Sequence, residues 1–269
     1  MDTMPQQTPS HPIAETPAPS LSGAQLGEIL TLLPGSDTVE LKVTVPEAGR
    51  RSVIERLGMD VMRAEIRQVA YFDTPDLRLN QHGLVVRARR LQRKGGDSVV
   101  KLRPVVPSEL ADDVRRVPGF GVEVDAMPGG FVCSARLKAK SDDATLHKVF
   151  GGRKPVRRIF TKQQQALFGD HAPDGVTLED LEVLGPLNIL KLKFDPPGYS
   201  RPLVVELWFY PDGSQILELS AKCLTEDAFA AAAETKAFLA SRGVDLSAPQ
   251  QTKTRTALDL LTSVDAGAS

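Results

Sequence analysis

Charged and aliphatic residues alternate along several short segments of this chain, which is the pattern of a β-strand with two unlike faces. In Val39–Val45, Glu40, Lys42 and Thr44 share one face, and aliphatic side chains share the other. Six further segments repeat this period of two: residues 84–91, 98–104, 121–125, 189–194, 203–210 and 215–223. Residues 62–72 are predicted to form another strand. About eight strands are enough to close a small barrel.

Between these strands, apolar residues at helical spacing predict helices, and turn residues mark the loops. The predicted helices cover residues 46–58, 161–168 and 252–262, and Thr225 is placed to cap another. Tyr210–Ser214 has the turn chemistry of a hairpin, since Gly213 can adopt the unusual φ required. The predicted fold class is therefore α+β: a closed antiparallel eight-stranded β-barrel with helices packed outside.

The N-terminal part of the chain differs in composition from the rest. Residues 1–20 are rich in Pro, Thr, Ser and Gln, and such a segment cannot bury enough apolar surface to offset its ordering entropy. A short amphipathic run follows before Pro34-Gly35. We predict a disordered or weakly ordered tail over residues 1–36 and a single barrel domain over residues 37–265.

Composition narrows the classes of function. The chain has 33 Lys and Arg against 34 Asp and Glu, so it lacks the basic excess typical of nucleic-acid binders. It has no apolar run long enough to span a membrane and no features of a secretory signal. The two cysteines form no disulfide framework. We predict a cytoplasmic protein without a nucleic-acid or membrane partner, and a homodimer is compatible with the sequence.

The charged strand faces carry the most chemical information. On any single strand, such a face is most simply the solvated side of a sheet. Here, however, the signs are grouped: bases are paired on some strands, and acids lie on others. Paired Lys and Arg donate to phosphate oxygens, and carboxylates bind Mg²⁺ or Mn²⁺. A barrel interior with both groups would attract a polyanion together with its metal.

Other catalytic arrangements are not supported. The four histidines are scattered and have no metal-ligand spacing. The pairs Gly95-Gly96 and Gly129-Gly130 lack the strand and helix context of a phosphate-binding loop. Ser134 and Ser220 have no neighbouring base in the sequence that would make either a nucleophile.

Four pieces of sequence follow one another in the order and spacing of a known family. They are residues 39–42 (VELK), 71–79 (YFDTPDLRL), 83–89 (GLVVRAR) and 100–104 (VKLRP). Together they resemble the CYTH domain of the triphosphate tunnel metalloenzymes, which include class IV adenylate cyclases and thiamine triphosphatases. The resemblance is most specific over residues 71–89 and looser over residues 157–223. It implies a tunnel barrel, a substrate with a linear triphosphate, and Mg²⁺ or Mn²⁺ as cofactor.

The resemblance and the alternating pattern together give the predicted site. The residues predicted to bind substrate phosphate are Lys42, Arg87, Arg89, Lys101, Arg103, Lys191 and Lys193. The predicted metal ligands are Glu40, Glu123, Glu206 and Glu218. Thr38 and Ser220 stand where the family pattern has acids, so we expect a metal site with fewer carboxylates.

Two classes of function remain open at this point. The first is a metal-dependent enzyme, a CYTH-like triphosphatase or a class IV-type adenylate cyclase that converts ATP to cyclic AMP. Its substrate would be ATP, thiamine triphosphate or inorganic tripolyphosphate. The second is a non-catalytic nucleotide or polyphosphate-binding module, which the missing acids at Thr38 and Ser220 favour. The clustering of charged residues and the resemblance together favour the enzyme, and the binding module is the alternative.

Overall fold

A computed structural model describes residues 21–266 of the chain. Nine strands within this range form one closed barrel. They are β1 (Thr38–Val45), β2 (Glu65–Asp73), β3 (Leu84–Leu91), β4 (Lys94–Leu102), β5 (Phe120–Met127), β6 (Gly130–Ser141), β7 (Glu182–Phe194), β8 (Leu203–Phe209) and β9 (Gln215–Cys223). Residues 1–20, the part of the predicted tail that is rich in Pro, Thr, Ser and Gln, lie outside the described residues.

Eight α-helices accompany the strands within the same range. They are α1 (Gly23–Leu32), α2 (Arg50–Arg56), α3 (Arg78–Gln81), α4 (Asp112–Arg115), α5 (Asp143–Phe150), α6 (Lys162–His171), α7 (Ala228–Ser241) and α8 (Lys253–Ala266). None of these helices combines the length and the apolar character that crossing a membrane requires.

The barrel has nine strands rather than the predicted eight, and it is not wholly antiparallel. The strands follow the order β1, β5, β6, β4, β3, β2, β7, β8, β9 around the barrel. Directions cannot alternate around a closed ring with an odd number of strands, so at least one neighbouring pair must be parallel. That pair is β1 and β5, with Glu40 opposite Asp125. The strand missed from the sequence is β6, which forms a hairpin with β5.

The aliphatic faces of the strands point outward and are covered by helices. On one side Leu79, Leu146 and Phe168, from α3, α5 and α6, pack against β2, β3, β4 and β6. On the other side Val53 and Leu239, from α2 and α7, pack against β1, β8 and β9. Full burial of such a side chain stabilises the fold by roughly 1.5–3 kcal/mol. The opposite, charged faces therefore point into the barrel.

Helix α1 lies within the segment predicted as a tail. Ser22 caps it, and the buried Ile29 and Leu32 pack with Val39 and Val124 on the outside of the barrel. The domain boundary after residue 36 stays a prediction.

Helix α8 is placed differently from the other helices. Leu258 and Leu261 pack against Tyr71 and Trp208, whose side chains point into the barrel. Just before the helix, the Gln250 side chain accepts a hydrogen bond of 2.8 Å from the backbone N–H of Thr44, on β1. Helix α8 therefore lies across one end of the barrel interior rather than on its outer surface.

A buried carboxylate fixes the turn that leads from β2 to β3. Asp73 Oδ1 accepts hydrogen bonds from the backbone N–H groups of Thr74 and Leu79, at 2.8 and 2.9 Å. Its Oδ2 accepts a third from Asn80, at 3.0 Å. Three backbone donors that would otherwise be unpaired are thus satisfied. The turn sets the start of β3, which carries two of the predicted phosphate-binding arginines.

Candidate functional site in the barrel interior

A charged cavity of about 300 Å³ occupies the barrel interior. Ten of the eleven predicted site residues line it: Glu40, Lys42, Arg87, Arg89, Lys101, Arg103, Glu123, Lys191, Glu206 and Glu218. The eleventh, Lys193, is exposed near the end of β7, where it lines a separate depression with Asp60 and Arg63. Alternation along β7 gives Lys191 and Lys193 the same face, but the strand continues beyond the cavity.

Charge divides the cavity lining into two groups of neighbouring strands. We call β8, β9, β1 and β5 the acidic wall, because they carry the five carboxylates of the lining: Glu40, Glu123, Asp125, Glu206 and Glu218. We call β6, β4, β3, β2 and β7 the basic wall. This wall, with the residue that follows β4, carries Arg67, Arg87, Arg89, Lys101, Arg103, Arg136, Lys138 and Lys191. The closed barrel makes the two walls face each other.

Positive charge predominates in the cavity. Lys42, Lys222 and Lys253 also line it, so the described residues contribute eleven Lys and Arg against five Asp and Glu, an excess of six positive charges. The nearby Asp97 offsets one of them. Cations held this close together repel one another unless an anion lies between them. The lining is therefore suited to a small polyanion.

Two arginines of the basic wall have no carboxylate partner among the residues that the structure describes. Neither Arg87 nor Arg136 lies within 4.0 Å of a carboxylate oxygen in the part of the chain that the structure describes. Arg87 Nε is also buried without a hydrogen-bond partner in that part, and the same holds for Arg67 Nε. An unsatisfied buried donor costs about 1–3 kcal/mol, which an oxyanion bound beside it would relieve.

Arg89 lies two residues from Arg87 on the same face of β3, but its guanidinium group forms an ion pair with a carboxylate. Its Nε and Nη2 donate to the two carboxylate oxygens of Asp97 at 2.9 and 3.0 Å. Lys138 Nζ lies 3.2 Å from the same carboxylate. Burial opposes ionisation of Asp97, but Arg89 and Lys138 outweigh it and lower its pKa. Arg89 thus lines the cavity and also forms a structural ion pair.

Lys101 shows how crowded the cations are. Its Nζ lies 3.4 Å from Asp125 Oδ2, on the opposite wall. Burial lowers the pKa of Lys101, Asp125 partly offsets this, and Lys42 and Arg87 lower it further, to about 8. A phosphate oxygen near this ammonium group would favour its charged form and raise the pKa again.

Three carboxylates converge on the acidic wall. One oxygen each from Glu40, Glu123 and Asp125 lies within 4.8 Å of the other two. The parallel pairing of β1 and β5 brings them together, because it places Thr38 opposite Glu123 and Glu40 opposite Asp125. Carboxylate oxygens are the ligands that Mg²⁺ and Mn²⁺ prefer, with waters or phosphates completing the coordination. The cluster therefore fits a divalent cation.

Lysines contact all three of these carboxylates. Lys42 Nζ lies 2.7 Å from Asp125 Oδ1 and 3.1 Å from Glu40 Oε2, and Lys222 Nζ contacts Glu123 Oε2. Burial opposes ionisation of Glu40, but Lys42 and Lys222 outweigh it and lower its pKa to about 2. Burial is likewise outweighed at Asp125, where Lys42 holds the pKa below its usual value. These two carboxylates are thus ionised at neutral pH.

The remaining two predicted metal ligands contact the first residue of α8. Lys253 Nζ lies 2.6 Å from Glu206 Oε2 and 2.6 Å from Glu218 Oε1, while Lys191 Nζ lies 2.9 Å from Glu206 Oε1. Burial opposes ionisation of Glu206, but Lys253 and Lys191 hold its pKa well below the usual value. Among the described acidic residues, Glu206 and Glu218 do not join the three-carboxylate cluster. Their role as metal ligands stays a prediction.

Six charged residues of the lining were not predicted as site residues: Arg67, Asp125, Arg136, Lys138, Lys222 and Lys253. The sequence contained a signal for most of them. Asp125 and Lys222 share strand faces with predicted ligands, and residues 130–141 alternate in the same way as the recognised strands. Lys253 has no such signal, because it reaches the cavity from a helix whose position depends on tertiary packing.

Comparisons with known proteins give a match in structure only. No protein-family model matches the chain, and a search of curated proteins finds no match. A candidate adenylate cyclase from Bacillus halodurans has a TM-score of 0.59 at 13% identity, covering 82% of this chain and 97% of that one. A candidate adenylyl cyclase from Hippeastrum, described as revealing a dominant triphosphatase activity, has a TM-score of 0.62 at 12% identity, covering 83% and 95%. These structures share the fold of this chain, and the CYTH-type fold implied by the resemblance is confirmed.

Proposed function

We propose that the barrel interior binds a linear triphosphate and hydrolyses it with the help of a divalent cation. The observation that carries this proposal is the division of the cavity, in which eight cations of the basic wall face a cluster of three carboxylates. Phosphoryl transfer leaves little covalent chemistry to the protein and depends on positioning and charge stabilisation. A basic wall opposite a metal-binding cluster provides both.

The basic wall would hold the phosphate chain. Arg87 and Arg136 are first in this role, because their guanidinium groups have no carboxylate among the described residues and offer paired donors to phosphate oxygens. Lys101 and Arg103 would bind phosphate between the two walls, since both already lie within 4.0 Å of Asp125. Each of these contacts also relieves repulsion among neighbouring cations.

The acidic wall would hold the metal. Glu40, Glu123 and Asp125 are the proposed ligands of Mg²⁺ or Mn²⁺. When bound, such an ion would neutralise charge on the phosphate oxygens and lower the pKa of a water ligand. The protein's own contribution is to gather the three carboxylates and to keep Glu40 and Asp125 ionised.

The lining favours an inorganic triphosphate over a nucleotide. Trp208 is the only aromatic side chain among the described lining residues, and it is 2% exposed. Its Nε1 donates to Glu206 Oε2 at 3.2 Å, and α8 covers it. Among the described lining residues, a nucleobase therefore finds no accessible aromatic face on which to stack. The triphosphatase activity described for the Hippeastrum protein also favours hydrolysis over cyclisation of ATP.

A binding module without turnover is the second candidate. The observation that favours it is that Lys42 and Lys222 contact the very carboxylates that would bind the metal. Thr38 and Ser220 also stand where the resemblance implies further acids. With Thr38 and Ser220 in place of acids, the basic wall would still bind polyphosphate, but its hydrolysis would be slow or absent.

An assay of phosphate release distinguishes the two. Purified protein is incubated with tripolyphosphate, thiamine triphosphate or ATP in the presence of Mg²⁺ or Mn²⁺, and orthophosphate and cyclic AMP are measured. We expect orthophosphate release to be fastest from tripolyphosphate and to depend on the metal. Release should also fall in Arg87→Ala, and this variant controls for contaminating phosphatases. Binding of tripolyphosphate without release would favour the binding module. Neither binding nor release would contradict both.

A further inference from the structure

The acidic wall carries a lysine at the place where a metal ion would bind. Lys222 on β9 lies opposite Glu40 in the pairing with β1, and its Nζ contacts Glu123 on β5. We propose that Lys222 is a tethered cation of the three-carboxylate cluster and has to leave Glu123 before a divalent cation binds there. This inference rests on the proposed function and adds to it a mechanism that couples metal binding to triphosphate binding.

Lys222 is better suited to this role than the other lysine of the cluster. The Lys42 side chain is 16% exposed and contacts both Glu40 and Asp125. The Lys222 side chain is 49% exposed and contacts one carboxylate, Glu123. The ammonium group of a half-exposed, flexible lysine side chain can move towards solvent without becoming an isolated buried charge. Lys42 lacks this freedom and stays with its two partners.

The ammonium group and a metal ion exclude each other at Glu123. Both are cations that bind the same carboxylate and repel each other at this distance, so the presence of one weakens the binding of the other. Glu123 is 5% exposed, and a buried carboxylate without a cation is costly. Lys222 meets that requirement when no metal is bound. The metal affinity of the wild-type protein should therefore be low.

A triphosphate would change this balance. Lys222 lines the same cavity as the basic wall, so phosphate oxygens offer its ammonium group another partner within reach. Once Lys222 turns to the phosphate, Glu123 is free to bind the metal, and the metal in turn attracts the phosphate. Each ligand then raises the affinity of the other by the same factor, as linkage requires.

The test compares Lys222→Met with a matched control, Lys148→Met. Lys148 is exposed on α5, away from the cavity lining, so the control removes one positive charge without touching the site. Mn²⁺ binding is measured by calorimetry without phosphate. We expect Lys222→Met to bind Mn²⁺ at least tenfold more tightly than the wild type, and Lys148→Met to match the wild type. Adding tripolyphosphate should raise Mn²⁺ affinity strongly in the wild type and less in Lys222→Met.

Thermal stability gives a second readout that does not depend on activity. In EDTA, Lys222→Met should melt below the wild type, because Glu123 has lost its cation, and Mn²⁺ should restore the melting temperature. The double variant Lys222→Met with Glu123→Gln removes both charges. It should melt close to the wild type in EDTA and gain no Mn²⁺ affinity, which keeps the test valid if the single variant folds poorly.

Equal Mn²⁺ affinity in the wild type and Lys222→Met would overturn the inference. Titration of the wild type with tripolyphosphate in EDTA separates this failure from failure of the proposed function. If tripolyphosphate binds, the proposed site stands and the tethered-cation role is wrong. If tripolyphosphate does not bind, the proposed function itself fails.

Discussion

The two walls of the barrel interior differ in how their charges are paired. On the acidic wall, each of the five carboxylates lies within 4.0 Å of a lysine ammonium group: Lys42, Lys222, Lys253 or Lys191. On the basic wall, Arg89 has a carboxylate partner, whereas Arg87 and Arg136 have none among the described residues. Cations of the same lining therefore serve two purposes. Those near the acidic wall stabilise the protein, and those of the basic wall that have no carboxylate partner in the described part of the chain are available to an anion.

This difference predicts opposite effects from similar substitutions. Removing a lysine that neutralises buried carboxylates should destabilise the protein, because a buried charge is left unpaired. Removing an arginine without a carboxylate partner should weaken anion binding and leave stability unchanged or higher. Four experiments, taken from the largest expected effect to the smallest, test this difference between the walls.

Lys253→Met should have the largest effect. It leaves Glu206 and Glu218 close together without the ammonium group between them, and breaking a buried pair costs about 3–5 kcal/mol. Urea denaturation should show this loss at pH 7 and a smaller one at low pH, since protonated carboxylates no longer repel. In the variant, stability should rise as the pH falls, because the unpaired carboxylates become protonated. In the wild type the dependence is the reverse: Glu206 has a lowered pKa, and its stabilising contribution is lost as the pH falls. A loss that did not depend on pH would point to packing of α8 instead.

Arg87→Ala and Arg89→Ala form a matched pair on one strand face. Arg87→Ala should weaken tripolyphosphate binding by about ten- to a hundredfold, since hydrogen bonds to charged groups contribute about 1.5–3 kcal/mol. Its melting temperature should not fall, because Arg87 has no carboxylate among the described residues. Arg89→Ala should weaken binding and also lower the melting temperature, because Asp97 loses its bidentate partner. The same loss of stability in both variants would contradict the contrast between the walls.

Lys101→Arg tests the pH dependence of binding. The pKa of Lys101 is about 8 in the free protein, so a bound phosphate should raise it and binding should take up a proton between pH 8 and 10. Wild-type affinity for tripolyphosphate should therefore weaken as the pH rises through 8, relative to Lys101→Arg, whose guanidinium group stays charged. Titration of the ligand itself affects both proteins equally. Parallel pH profiles would show that Lys101 does not contact the anion.

Lys193→Ala should have the smallest effect. Lys193 shares a strand face with Lys191, but the structure places it outside the cavity lining. We expect tripolyphosphate affinity to change less than twofold in Lys193→Ala and clearly more in Lys191→Ala, with calorimetry as the measurement. A comparable loss in both would extend the basic wall to the end of β7.

The local alternation of residues predicted the two faces of the strands. It did not predict which strands pair with each other, because that depends on contacts between distant parts of the chain. The alternation in residues 39–45 correctly placed Glu40 and Lys42 in the interior. The parallel pairing of β1 with β5, which gathers Glu40 with Asp125, has no local signature, because it joins residues 85 positions apart. Arg136 and Lys138 were missed along with β6, although the alternation of residues 130–141 is as clear as elsewhere. The position of Lys253 depends on how α8 packs against the barrel, and no single segment of the sequence predicts this packing.

The most direct test of the account is a calorimetric titration with tripolyphosphate in EDTA, on the wild type and on the double variant Arg87→Ala with Arg136→Ala. We expect the wild type to bind one equivalent and the double variant to show no detectable binding, with both proteins melting at similar temperatures. Undiminished binding by the double variant, or none by the wild type, would contradict the claim that Arg87 and Arg136 form the core of the anion site.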